Sequence, residues 1–192
     1  FLDWSDRNVS ILFGDGAGKF SPHTDFFAGT ELNNITNGDF NDDGKIDLAA
    51  TNNSNGGGPD SVWVLLGDGI GSFGTVSKYL AGSGPYSVCT ADFNSDGFDD
   101  IVVANNNSND VSVLLSKGLS GEFFDAVSFI AGPISGSTAP FSVISADFNL
   151  DGKPDLSVAN FYGNMIYILL GSGTGTFDAS TFYPAQGGPW SI

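Results

Sequence analysis

Short apolar runs follow one another along the chain, separated by gaps rich in Gly, Asn and Asp. LAATN, IVVAN and LSVAN begin at Leu48, Ile101 and Leu156, and each is preceded by a second run: NITNG (34–38), SVCTA (87–91) or SVISA (142–146). After an Asn-rich gap comes an alternating segment, SVWVLLGDG (61–69), DVSVLLSKG (110–118) or NMIYILLGSG (164–173). A Gly-rich turn closing on Phe leads to a last run ending in YLAG, FIAG or FYPAQG. Alternation and bounded apolar runs predict strands, and no long stretch has helical periodicity. Each unit thus holds four strands, A to D, and the units recur about every 54 residues (~50–55).

Four antiparallel strands per repeat predict an all-β fold, a β-propeller or an open array of four-stranded blades. The expected units are 32–84, 85–139 and 140–188, with a partial unit at 1–31 (end of strand B, then C and D) and the start of another at 189–192. Three arrangements fit this count. The chain is a fragment of a longer protein, or it closes as a four-bladed ring, or its terminal strand completes a neighbour's blade. The last would give a homo-oligomer or fibre through exposed sheet edges.

The A–B connections carry the candidate chemistry. DFNDDGKID, DFNSDGFDD and DFNLDGKPD start at Asp39, Asp92 and Asp147 and share D-x-N-x-D-G-x-x-D. Each opens like an EF-hand loop, but position twelve is Ala50, Val103 or Val158 rather than Glu, and a strand follows instead of a helix. Calcium takes six to eight oxygens at flexible geometry. The first loop offers Asp39, Asn41, Asp43, Asp47 and the Lys45 carbonyl. The second offers Asp92, Asn94, Asp96, Asp100 and the Phe98 carbonyl; the third offers Asp147, Asn149, Asp151, Asp155 and the Lys153 carbonyl. Gly44, Gly97 and Gly152 permit the bend, and Phe40, Phe93 and Phe148 at position two are expected to anchor each loop to the core. Solvated Asp/Asn turns are the plain alternative, but three clusters of carboxylates would repel without a cation. The expectation is about three structural calcium ions per chain, one per loop.

Composition narrows the partners. Six Lys plus Arg face 22 Asp plus Glu, a formal charge of −16 in 192 residues. A nucleic-acid surface needs a basic patch and is disfavoured, as is an anionic membrane. No apolar run is long enough to span a bilayer. Cys89 is the single cysteine, so no internal disulfide forms, and it reads as a small buried hydrophobe. His23, the single histidine, reads as an exposed loop residue, which argues against a His-based zinc site or a Ser-His-Asp triad. GDGAG and GDGIG sit in hairpins without a following helix or a Lys-Ser/Thr end, which argues against a nucleotide loop. Sequons begin at Asn8, Asn34, Asn52 and Asn106.

The loop motif at three regular positions, with the LLGDGxGxF turn, resembles the FG-GAP/VCBS repeat family of integrin alpha-subunit propellers and some propeller lectins. The resemblance covers nearly the whole chain and implies one calcium per blade in the A–B loop. Two departures stand out. LNNI (32–35) replaces the Pro-aromatic-Ser that opens the other units, and Asp99 occupies position eight, adding outer-sphere charge or facing water.

In an up-and-down blade the A–B and C–D connections share one face. The other face is expected to carry Asn52, Asn53, Asn105, Asn106, Asn107 and Asn160 beside Tyr86, Phe141 and Trp190, a combination suited to sugars through hydrogen bonds and ring stacking. Turn formation and inter-blade packing explain the same residues without a ligand. Integrin-like relatives carry ligand on that face. The leading expectation is a non-catalytic extracellular or cell-surface module for adhesion or self-assembly. A lectin-like glycan binder comes second, and an accessory part of a polysaccharide-degrading enzyme third; a protein or a glycan is the expected ligand.

Overall fold

A computed structural model describes residues 2–3, 8–54, 59–132, 139–178 and 181–192. Fifteen strands and no helix occur among them. They form four antiparallel sheets. The first holds β1 (Leu2–Asp3), β2 (Asn8–Ile11) and β3 (Thr24–Phe27). The second holds β4 (Leu32–Gly38), β5 (Asp47–Asn52), β6 (Ser61–Gly67) and β7 (Phe73–Leu80). The third holds β8 (Pro85–Ala91), β9 (Asp100–Asn105), β10 (Asp110–Leu114) and β11 (Val127–Ile130). The fourth holds β12 (Pro140–Ala146), β13 (Asp155–Asn160), β14 (Met165–Leu169) and β15 (Thr181–Pro184). Strand order follows chain order within each sheet, so every connection is a hairpin. Residues 189–192 lie past the last strand.

The sheets stack through three apolar layers. Val9, Ala28, Leu48, Ala50 and Leu65 fill the first. Phe40, Ala49, Val62, Val64, Ile101, Val103 and Leu114 fill the second. Val102, Ala104, Val111, Val113, Leu156, Val158, Tyr167 and Leu169 fill the third. Strands β5, β9 and β13 are buried along their whole length; layers cover both faces of β5 and β9, and the third layer covers the Leu156 and Val158 face of β13. That explains their unbroken apolar runs, whereas the outer strands β7, β11 and β15 are largely exposed. Trp63 meets Phe27 of the first sheet edge-on at 5.5 Å, while Tyr167 packs on Phe182 of its own sheet at 5.8 Å.

The position-two phenylalanines divide. Phe40 packs edge-on against Phe123 at 5.4 Å, and Phe93 against Phe177 at 5.5 Å. Each partner comes from the C–D turn of the following sheet, and Phe40 and Phe93 are buried. Phe148 departs from the expected anchoring: it is 44% exposed. No following turn lies against it among the described residues.

One irregularity repeats. The register shifts just after the first residue of β4, β8 and β12, between Leu32 and Ile35, Pro85 and Ser87, and Pro140 and Ser142. Tyr86 and Phe141 are the extra residues of β-bulges, and Asn33 holds the same place in β4. A bulge re-aims a side chain out of the pleat.

Candidate functional site

The acidic loops are built alike. In the first, Asp39 Oδ1 accepts the Asp43 N–H at 3.0 Å and Asp39 Oδ2 accepts the Gly44 N–H at 2.8 Å. Asn41 Oδ1 also accepts the Asp43 N–H at 3.3 Å, and Asp43 Oδ1 accepts the Lys45 N–H at 3.0 Å. Asp92, Asn94, Asp96 and Phe98 repeat this pattern, as do Asp147, Asn149, Asp151 and Lys153. Four side-chain oxygens therefore fold each loop inward around its glycine.

Position nine plays a different part. Asp47 is fully buried; its Oδ2 accepts the Phe40 N–H at 2.9 Å and its Oδ1 accepts the Gly67 N–H at 2.7 Å. Asp100 does the same to Phe93 and Ser116, and Asp155 to Phe148 and Gly171. Each carboxylate staples the start of the acidic loop to the end of strand C. Burial pushes the Asp47 carboxyl above its ordinary value, against the Gly67 and Phe40 N–H groups and with repulsion from Asp43 and Asp39. The same causes, led by burial, push Asp100 up to about 7, with Asp96 and Asp92 as the repelling neighbours. Asp43 goes the other way: it lies below the usual carboxylate range, chiefly through its hydrogen bond from Lys45.

Asp99 is turned to the preceding loop rather than to water. Its Oδ2 accepts the Asp39 N–H at 3.4 Å, and its carboxyl is raised by burial first and by the charges of Asp39 and Asp92.

Among the described residues, no three acidic, histidine or cysteine side chains converge in a metal-holding arrangement. The loop oxygens are engaged with backbone N–H groups instead. The donor set nevertheless fits a hard cation. Each loop offers three carboxylates and a carboxamide oxygen, all oxygen donors, and buried Asp47 and Asp100 carry charge repulsion that a cation would relieve.

On the opposite face the connections between sheets form a cavity of about 240 Å³. Glu31, Asn33 and Asn53 line it from the second sheet, Gly84, Tyr86, Asn106 and Asn107 from the third, and Phe141 from the fourth. Three of these, Asn33, Tyr86 and Phe141, are the bulge-position residues. Asn33 Nδ2 donates to the Pro85 carbonyl at 2.8 Å, closing the wall between two sheets. The Asn106 carboxamide nitrogen is buried and has no hydrogen-bond partner. A buried amide donor without a partner costs about 1–3 kcal/mol.

The other asparagines expected on this face are structural. Asn52, Asn105 and Asn160 are at most 3% exposed, which removes them from contact with a ligand. Asn52 Oδ1 accepts the Glu31 N–H, Asn105 Nδ2 donates to Asp110 and Ser112, and Asn160 Nδ2 donates to the Ala131 carbonyl. Burial also places Asn52 out of reach of glycosylation. Trp190 stacks on Phe141 at 4.6 Å and sits beside the cavity. Glu31 and Asn33 were not legible as site residues, because LNNI lacks the aromatic that marks the other units.

The remaining reactive groups are quiet. Cys89 packs against the third apolar layer, and burial pushes its thiol up to about 12. His23 is exposed beside Asp25 at 3.4 Å.

Comparison with known proteins agrees with this architecture. The FG-GAP-like repeat family model matches residues 39–103 and 92–158. Among solved structures, a lectin from Agrocybe aegerita, described for its specific recognition of non-reducing terminal N-acetylglucosamine, superposes with a TM-score of 0.60 at 20% identity. The match covers 94% of this chain and 47% of the lectin, so the chain spans about half the length of that neighbour, and it shows a shared fold. No curated protein matches in sequence. The two family matches overlap and together take in well over half of the sequence, each running from the start of one acidic loop through the whole of the next: the chain belongs to the FG-GAP-like repeat family.

Proposed function

We propose that this chain is a non-catalytic carbohydrate-recognition segment of a β-propeller, acting in adhesion outside the cell or at its surface. The carrying observation is the cavity of Asn33, Asn53, Asn106 and Asn107 walled by Tyr86 and Phe141. Carboxamides that donate and accept, set against aromatic rings, match a sugar's hydroxyls and its apolar ring face. The lectin neighbour supports the ligand class, and repeats of this family are typical of extracellular proteins. Among the described residues no helix is long and apolar enough to cross a membrane.

The cavity presents one carboxylate, Glu31, and no histidine among its lining residues. Glycoside hydrolysis commonly uses two carboxylates across the scissile bond, so recognition is better supported than turnover.

In this reading calcium is structural. Asp39, Asn41, Asp43 and Asp47 with the Lys45 carbonyl, and their counterparts in the other loops, would hold it. Bound calcium supplies positive charge that offsets the crowded carboxylates, so binding adds to folding stability. The loops lie away from the cavity and serve to fix the hairpins that carry it.

The test is a glycan array probed with the chain in calcium, beside Asn106→Ala. Binding to a defined set of glycans, reduced at least tenfold in the variant, is the expected result. No glycan binding by a folded, calcium-loaded chain would overturn the reading.

A further inference from the structure

The carboxamide lining of the cavity between the second and third sheets is not repeated at the next junction. Asn53 follows Asn52 and Asn106 follows Asn105, but the residue after Asn160 is Phe161, with Tyr162 behind it. Where the first junction has carboxamides, the second has an aromatic cluster. Trp190 lies nearly flat on Phe141, with centroids 4.6 Å apart and planes at 27°. Phe161 meets both edge-on, at 5.3 Å from Phe141 and 5.4 Å from Trp190, and Tyr162 meets Phe161 at 5.1 Å. Tyr86 reaches the same cluster at 4.5 Å from Phe141.

The cluster begins at the cavity rim, because Tyr86 and Phe141 belong to both. Its far part is open: Trp190 is 54% exposed and Tyr162 is 64% exposed. Packing alone accounts for the covered ring faces and leaves the open ones over. The cavity volume of about 240 Å³ is also small. Pockets that take drug-sized ligands run from roughly 300 to 1,000 Å³, so this one suits a single sugar ring.

We infer that the ligand is a neutral oligosaccharide whose terminal ring enters the Asn106 cavity while the next ring lies on the Trp190–Tyr162 surface. The inference rests on the glycan reading above and specifies its ligand. Stacking on an exposed indole or phenol suits the apolar face of a neutral sugar. Glu31 in the cavity wall, on a chain of formal charge −16, repels carboxylated sugars.

Calorimetric titration with N-acetylglucosamine and its β-linked dimer and trimer tests this. The dimer and trimer are expected to bind at least tenfold more tightly than the single sugar. Trp190→Ala should bring that ratio close to one. Tyr162→Ala, at a more exposed position, should lower the ratio without the loss of packing that the Trp190 variant risks. Equal affinity for one, two and three units would overturn the inference, as would a ratio unchanged in both variants. If none of the three sugars binds the wild-type chain, the glycan reading fails for this sugar series and the inference falls with it.

Discussion

Both δ-methyl groups of Leu66, at the end of β6, lie 2.9 Å from the point where a β-carbon on Gly121 would stand. Gly121 belongs to the C–D turn of the next sheet and has φ +64°. The contact recurs. Leu115 stands 2.7 Å from the corresponding point on Gly175, and the Phe13 ring presses on Gly71. Each turn therefore seats a glycine on the residue that leads into the turn of the sheet before it. The Gly175 N–H also donates to the Phe93 carbonyl at 2.9 Å, tying that turn to the preceding acidic loop.

Gly121→Ala is expected to destabilise the chain by about 2–5 kcal/mol. A left-handed conformation costs an L-residue roughly 1–2 kcal/mol, and overpacking adds about 1–3. Gly16→Ala is the control: its φ is +74° with nothing within 4 Å, so about 1–2 kcal/mol is expected from conformation alone. Urea unfolding of both variants, and of Leu66→Ala combined with Gly121→Ala, separates the terms. Equal losses at Gly16 and Gly121 would show that the Leu66 contact is unimportant.

The Asp100 staple predicts a loss that does not depend on metal. In Asp100→Asn one accepting oxygen is replaced by an NH2 group that cannot accept, so either the Phe93 or the Ser116 N–H loses its acceptor inside the protein. The expected cost is about 1–3 kcal/mol. Chemical unfolding in excess chelator measures it without the contribution of any bound ion. Full wild-type stability under those conditions would reduce Asp100 to a metal ligand only.

The strands and the acidic loops were readable because each is written locally. Alternation marks β6, burial on both faces marks β5, and D-x-N-x-D-G-x-x-D marks the loop. The two roles inside that loop were not. Asp47 looks like Asp39 in the sequence, yet Asp39 turns to its own loop while Asp47 reaches Gly67, twenty residues on. The proposed ligand face was half readable for the same reason. Tyr86 and Phe141 announce themselves, but the bulge that aims them, and the Asn33 that shares it, depend on pairing with a partner strand. Asn52 and Asn53 are neighbours of one type, and only the stacking of sheets buries the first and leaves the second at the cavity.

Removing calcium is expected to lower the melting temperature markedly. An ion held at a hundred times its dissociation constant stabilises the folded state by about 2.7 kcal/mol per site. Differential scanning calorimetry in calcium and in chelator reads the shift, and native mass spectrometry counts the ions, with three expected. Asp43→Ala should remove one of the three, since it deletes a donor of the first loop only. An unchanged melting temperature and no retained ion would remove calcium from the account.

Asp60 predicts an acid-sensitive link between the second and third sheets. Its Oδ1 accepts the N–H and hydroxyl of Ser54, both at 2.8 Å, and its Oδ2 accepts the Gly84 N–H at 2.8 Å. The matching links in the next two sheets are neutral: Asn109 Oδ1 accepts the Ala139 N–H at 3.2 Å, and Asn164 Oδ1 accepts the Gly188 N–H at 2.7 Å. Burial raises the Asp60 carboxyl, but the hydrogen bonds from Gly84, Ser54 and Ser83 outweigh it, and the group ends below its ordinary value. As pH falls, the unfolded chain therefore takes up the proton first. The stabilisation is complete above about pH 4, the unperturbed carboxylate value, and is lost as pH drops through the lower folded value. Asp60→Asn should cost about 1–3 kcal/mol at pH 7, since one of the two backbone donors loses a charged acceptor. The gap between variant and wild type should close as both are taken from pH 5 to pH 2. Denaturant unfolding across that range, in chelator throughout, measures it; a gap of constant size would mean that the Asp60 charge contributes nothing to the link.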